Sequence, residues 1–187
     1  MKILLVRNSV SGQSLLEKAF SRGNDVTTIP WDGFKDIDTS TFDLAVLSGS
    51  SNFPVVGNEN QLVQELDFIR STDMPVLGIC YGSELITTAF GGTLKILPHK
   101  ERGVIHVSIE RTDPIFNGID DLFVYEGHRW TIDTVPEGFI PLASSPHGIE
   151  TIRHSSRIIY GLQFHPEKLQ HETVGEQIVE NFLALIR

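Results

Sequence analysis

Four short runs rich in Val, Leu and Ile punctuate the first eighty residues, and longer segments with helical spacing separate them. The runs are Lys2–Val6, Asp25–Ile29, Phe42–Ser48 and Pro75–Ile79. Between them lie residues 12–22, with Leu15, Leu16, Ala19 and Phe20 on one face, and Asn60–Arg70, with Leu62, Val63, Leu66 and Ile69. Strand-length apolar runs alternating with helix-length amphipathic ones predict an α/β fold. Pro75–Ile79 is continuous in its apolar residues, as a strand covered on both faces should be. A helix over Ser83–Phe90 follows, and Gly91-Gly92 stops it. After Gly92 the pattern changes. Residues 93–164 read as several shorter antiparallel or mixed strands, with turn signals at Asp113-Pro114, Asn117-Gly118 and Glu137-Gly138. A last strand over Arg157–Phe164 and an amphipathic helix near Thr173–Ile186 close the chain. The expected architecture is a three-layer α/β/α fold with a mostly parallel, flavodoxin-like sheet and antiparallel strands added in the second half. Residues 1–187 are expected to form a single domain.

Composition narrows the function. A 187-residue chain with 40% hydrophobic and 21% charged residues has room for one sizeable core. A formal charge of −9 argues against a nucleic-acid partner, and no apolar run is long enough to span a bilayer. The first residues, Met1 to Arg7, read as a buried strand rather than a signal peptide. One cysteine excludes an internal disulfide and any multi-cysteine metal site, and suggests a reducing, cytoplasmic setting.

That cysteine stands in Gly78-Ile79-Cys80-Tyr81-Gly82, where a buried strand passes through a Gly-x-Cys-x-Gly turn into a helix. This is the thiol counterpart of a nucleophile elbow. A position at a helix N-terminus favours the thiolate. On the turn alone, Cys80 reads equally as a buried structural cysteine. A second segment, Gln163-Phe164-His165-Pro166-Glu167, also ends a buried strand. With Pro166 extended, His165 and Glu167 share a side of the chain, so the carboxylate can hold one imidazole nitrogen and leave the other for a thiol. Taken by itself, His-Pro-Glu reads more readily as a surface turn. Together, the two segments supply nucleophile, base and orienter for acyl transfer.

The pair resembles the signature of class I glutamine amidotransferases, and the similarity covers nearly the whole chain. Leu47-Ser48-Gly49 falls at the family's oxyanion loop, and Leu142–Ser145 with Ile159–Glu167 resembles its closing block. Within the family, Lys100-Glu101-Arg102-Gly103 and the tail from His171 to Phe182 most resemble the free-standing glutaminase subunit of two-subunit GMP synthases. The resemblance implies that Cys80 attacks the side-chain amide of glutamine while His165, held by Glu167, moves the protons. Backbone N–H groups of Tyr81 and of the Gly49-Ser50 loop would hold the oxyanion. His128 falls near the family's substrate segment, where it would touch substrate or partner, or serve structure alone. No metal or organic cofactor is required, and the implied partner is an ATP-dependent synthetase subunit.

Two positions depart from the family pattern. The loop reads Ser48-Gly49-Ser50-Ser51-Asn52 where the family has Ser-Gly-Gly-Pro, which would strain Ser50 if the loop needed positive φ there. Glu84 stands where the family has a substrate-binding Gln. It either points into solvent or marks a different amide substrate, so a γ-glutamyl or other small-amide hydrolase, and a non-catalytic regulatory subunit, stand as alternatives. Trp130 reads as packing. His99, His106, His147, His154 and His171 have no ligand-like spacing, so no metal site is expected. The Ser/Gly-rich residues 9–14 read as a helix-capping loop, because they lack a phosphate-loop ending.

Overall fold

The computed structural model describes residues 1–9, 13–170 and 172–187. Five strands, β1 (Lys2–Arg7), β2 (Asp25–Pro30), β3 (Leu44–Leu47), β4 (Val76–Ile79) and β11 (Ile159–Leu162), run parallel in the order 2-1-3-4-11. With β11 in fifth place, this is the flavodoxin-like order. Six further strands extend the sheet beyond β11 through antiparallel pairings. They are β5 (Thr93–Ile96), β6 (Gly103–Ile109), β7 (Leu122–Glu126), β8 (Trp130–Thr134), β9 (Phe139–Ser145) and β10 (Gly148–His154). Among the described residues the result is one mixed eleven-stranded sheet.

Why this sequence makes a covered parallel sheet is visible in β1. Ile3 and Leu5 enter one core cluster while Leu4 and Val6 enter another, and all four are buried. Alternation sends neighbours to opposite faces, so a strand apolar at every position needs helices on both sides. Helices α1 (Gln13–Phe20) and α4 (Gly175–Ala184) cover one face through Leu16, Phe20, Ile178 and Phe182. Helices α2 (Val63–Ser71) and α3 (Tyr81–Ala89) cover the other through Leu66, Ile69, Leu85 and Ile86. The three layers follow.

The differences from expectation are local. Helix α3 begins at Tyr81, two residues before the expected Ser83, so it starts immediately after the cysteine. Helix α2 begins at Val63 rather than Asn60, because residues 58–62 form turns in which Gln61 and Leu62 donate to Asn58 and Glu59. The turn signal at Asp113-Pro114 is a short helical turn, Pro114–Phe116, capped by Asp113 accepting from the Ile115 N–H at 3.0 Å. The expected first residue of α1, most of the capping loop over residues 9–14, and His171 lie outside the described residues. Among the described residues, no helix is long and apolar enough to cross a membrane.

Candidate active site

The C-terminal ends of four adjacent parallel strands converge on one point. β1 delivers Asn8, β3 delivers Ser48 and Gly49, β4 delivers Cys80, and β11 leads to Gln163, His165 and Glu167. Open α/β sheets place their ligands at such an edge.

The turn holding Cys80 is strained. Cys80 adopts φ 51° and ψ −101°, and among the described residues it is the one non-glycine with positive φ. Its N–H donates to the Leu162 carbonyl at 2.6 Å, and its own carbonyl accepts from Ser83 and Glu84 at the start of α3. A Cβ at Gly78 would press into the Gly82 backbone, and one at Gly82 would press into the Leu47 carbonyl. Both flanking glycines are therefore required for strand-to-helix crossing, as the Gly-x-Cys-x-Gly pattern predicts.

The thiol does not rest as the thiolate that its helix-start position suggested. Cys80 is 4% exposed. Burial, then the nearby Glu84 and Glu167 carboxyls, push its pKa well above the ordinary thiol range; the Tyr81 N–H and Lys168 oppose this only in part. Desolvation outweighs the helix terminus here, so the sulfur needs a base to ionise it.

The base is in place. His165 Nδ1 lies 2.7 Å from Glu167 Oε1, a carboxylate that accepts, so Nδ1 carries the proton and Nε2 is left with its lone pair. The His165 N–H donates to the Tyr125 carbonyl at 2.8 Å, which fixes the backbone beneath the ring. Gly49 stands between base and nucleophile. A Cβ there would sit 2.9 Å from His165 Cε1 and 3.6 Å from Cys80 Cβ. A bare backbone is what lets the loop approach both groups.

The loop following Gly49 is pinned from β1. Asn8 donates its N–H to Ser48 Oγ at 2.9 Å, and its carbonyl accepts from Ser50 Oγ at 2.7 Å and from Asn52 Nδ2 at 3.2 Å. Neither Ser50 nor Ser51 has positive φ, so the strain expected at Ser50 does not arise. Behind Asn8 is Glu65, fully buried and held by Asn8 Nδ2 at 3.1 Å; burial pushes its carboxyl up to about 8.

Glu84 does not reach solvent. It is 4% exposed and lines a cavity of about 300 Å³ with Cys80, Tyr81, His128, Arg129 and Trp130. Burial raises its carboxyl to about 8, so it is largely protonated at neutral pH. Trp130 is thus a cavity wall as well as packing. An adjoining cavity, lined by His165, Glu167 and Lys168, shares Ser50, Ser51, Lys100 and Gly127 with the first. The nucleophile and the base open onto neighbouring halves of one cleft.

The structure brings Cys80, Tyr81, Glu84, Gly49, Ser50, His165 and Glu167 together. His128 borders the cleft, but its ring is engaged elsewhere, with Nδ1 2.8 Å from the Trp130 carbonyl. Sequence reasoning missed Gln163, whose Nε2 lies 3.5 Å from Glu84 Oε1 and 4.0 Å from Cys80 Sγ. Its position two residues before His165 was the available signal, because alternation gives i and i+2 one face.

The sequence model of the family "Glutamine amidotransferase class-I" matches residues 7–186. The chain belongs to the class I glutamine amidotransferase family. It is 34% identical to the free-standing glutamine-hydrolyzing GMP synthase subunit of Methanosarcina barkeri, over 99% of this chain and 96% of that protein. It is 29% identical to the glutamine-hydrolyzing GMP synthase of Thermosipho africanus, where 98% of this chain spans only 36% of the relative. A crystal structure of a GMP synthase subunit protein from Thermoplasma acidophilum superposes with a TM-score of 0.86 at 30% identity, covering 100% of this chain and 94% of that one. Within the class I amidotransferase family, Glu84 and the Ser50-Ser51 loop are therefore local departures on a shared framework.

Proposed function

We propose that this chain hydrolyses glutamine to glutamate and ammonia through a Cys80–His165–Glu167 triad. The carrying observation is the 2.7 Å His165–Glu167 contact at the strand edge where Cys80 is held at φ 51°. The Cys80 sulfur attacks the amide carbon while His165 Nε2 takes the thiol proton, and Glu167 stabilises the imidazolium that forms. The Tyr81 N–H and an N–H of the Gly49-Ser50 loop donate to the developing oxyanion, a type of interaction worth about 3 kcal/mol per donor. Collapse expels ammonia, protonated by His165, and leaves a γ-glutamyl thioester. Water, activated by His165, attacks that thioester and releases glutamate and the thiol. Lys100 and Arg129 at the cleft rim supply positive charge for a substrate α-carboxylate.

The ammonia is destined for a separate ATP-dependent synthetase, GMP synthase being favoured by the full-length match to the Methanosarcina barkeri relative. The whole chain acts as one glutaminase domain in the cytoplasm, where a lone thiol stays reduced; neither nucleic acid nor membrane takes part. To test this, purified protein is incubated with glutamine, alone and with the synthetase, and glutamate is measured. Glutamate release that requires Cys80 supports the proposal. No glutamate under either condition, from protein whose Cys80 still alkylates, overturns it.

The buried Glu84 carboxyl favours one second reading, in which the same triad cleaves a γ-glutamyl or other small amide. Turnover of such amides far above that of glutamine would select it.

A further inference from the structure

Behind the cleft, β7, the turn into β8, and β10 bring together three ionisable side chains that the proposed hydrolysis does not use. Glu126 and Glu150 are fully buried and His128 is 3% exposed. One ligand-type atom from each lies within 4.8 Å of the other two, and His128 Nε2 is 3.5 Å from Glu126 Oε1. Linear spacing hid this cluster, because the carboxylates come from strands that are distant in sequence.

Both oxygens of Glu126, Nε2 of His128 and Oε2 of Glu150 are buried without a hydrogen-bond partner. Among the described residues, no Lys or Arg forms an ion pair with either carboxylate. Two buried carboxylates without compensation are costly, and the cost is removed by a cation or by protons.

The surroundings prepare these atoms for a cation. His128 Nδ1 donates to the Trp130 carbonyl at 2.8 Å, which fixes the ring and leaves the Nε2 lone pair aimed into the cluster. Ser145 Oγ donates to Glu150 Oε1 at 2.7 Å, which orients that carboxylate and leaves Oε2 free. Supporting hydrogen bonds of this kind position metal ligands. Ligands on a tetrahedral ion with bonds of about 2.1 Å stand roughly 3.4 Å apart, close to the His128–Glu126 spacing. A route inward exists as well. His147 Nε2 lies 3.4 Å from Glu101 Oε2, both side chains are about 30% exposed, and both group with Glu126.

We propose that Glu126, His128 and Glu150 bind a divalent first-row transition metal, with Glu101 and His147 at the mouth of the site. An imidazole with two carboxylates suits Zn²⁺ or Mn²⁺ and disfavours the all-oxygen ions Mg²⁺ and Ca²⁺. A buried, closed site is structural. It clamps β7 and β10 behind the wall that carries Gly127 and Trp130, so metal binding adds to folding stability.

The test uses the full chain, stripped with chelator and titrated with zinc sulfate, in wild type, Cys80→Ser and Glu150→Gln; Cys80→Ser removes the thiol that could itself bind zinc. The expected result is one equivalent of Zn²⁺ in wild type and Cys80→Ser, a raised melting temperature in both, and affinity at least about tenfold weaker in Glu150→Gln. If Glu150→Gln does not fold, the Cys80→Ser titration alone decides. No stoichiometric binding in Cys80→Ser, or binding that disappears with Cys80→Ser and persists in Glu150→Gln, overturns the site and leaves the cluster neutralised by protons.

Discussion

Cys80 carries backbone strain of about 1–3 kcal/mol, since a side chain at φ 51° and ψ −101° is tolerated only where the surroundings enforce it. The same turn lifts the sulfur clear of α3 and aims the Tyr81 N–H at it. The thiol is held protonated by burial, so turnover depends on His165 rather than on a resting thiolate. Glu167→Gln is therefore expected to reduce kcat by roughly 10²- to 10⁴-fold, with little change in thermal stability, because the orienting acceptor for Nδ1 is lost. Gly49→Ala places a methyl 2.9 Å from His165 Cε1 and is expected to lower kcat about 10²-fold without disturbing the circular dichroism spectrum. Glu84 yields a pH dependence. Below its pKa of about 8 the neutral carboxyl donates a hydrogen bond, as the family's amide does; above it, the carboxylate faces Gln163, the Cys80 thiol and the Tyr81 hydroxyl and repels a substrate carboxylate. KM for glutamine should rise as pH climbs through about 8, and steady-state profiles of Glu84→Gln should lack that rise.

At the level of elements, the β4–α3 crossing decides whether the site exists. Gly78 packs on Gly82, and Gly82 packs on the Leu47 carbonyl of β3, so nucleophile strand, nucleophile helix and oxyanion loop are in direct register. Gly82→Ala is expected to destabilise the protein by about 2 kcal/mol through overpacking, lowering the melting temperature by roughly 5 °C. These relations were legible in the sequence because they are short in range. The Gly-x-Cys-x-Gly turn and the His-Pro-Glu end each encode their geometry within a few residues. What could not be read needed the sheet assembled. Asn8 pins the loop from another strand, Gln163 meets Glu84 across two strands, and Glu126 meets Glu150 only after β7 and β10 fold into place. Helix α3's early start was missed because Tyr81 and Gly82 look like turn residues, whereas the glycine packing makes them the helix's first turn.

For the whole molecule, the parallel order 2-1-3-4-11 gathers the candidate catalytic residues on one edge, and the antiparallel extension builds the far wall of the cleft from Gly127 to Trp130. The alternation of apolar runs was enough to read the layered fold, but not how the six later strands branch around β10. Burial of acids along this frame carries a cost in alkali. Glu65 has a folded pKa of about 8 against an ordinary value of 4.5. The native state thus keeps a proton that the unfolded chain has already lost, and this group's contribution to stability falls from about pH 4.5 through pH 8. Between about pH 6 and pH 9, the urea midpoint should drop more for wild type than for Glu65→Gln. The central claim, that Cys80 is the acylated nucleophile, is tested most directly by acid-quenching the protein during turnover of isotopically labelled glutamine and mapping the adduct by mass spectrometry. The predicted result is a γ-glutamyl thioester on the Cys80 peptide, absent from Cys80→Ser, which also loses turnover. Glutamate formation by Cys80→Ser at the wild-type rate, with no label on the Cys80 peptide of wild type, would contradict it.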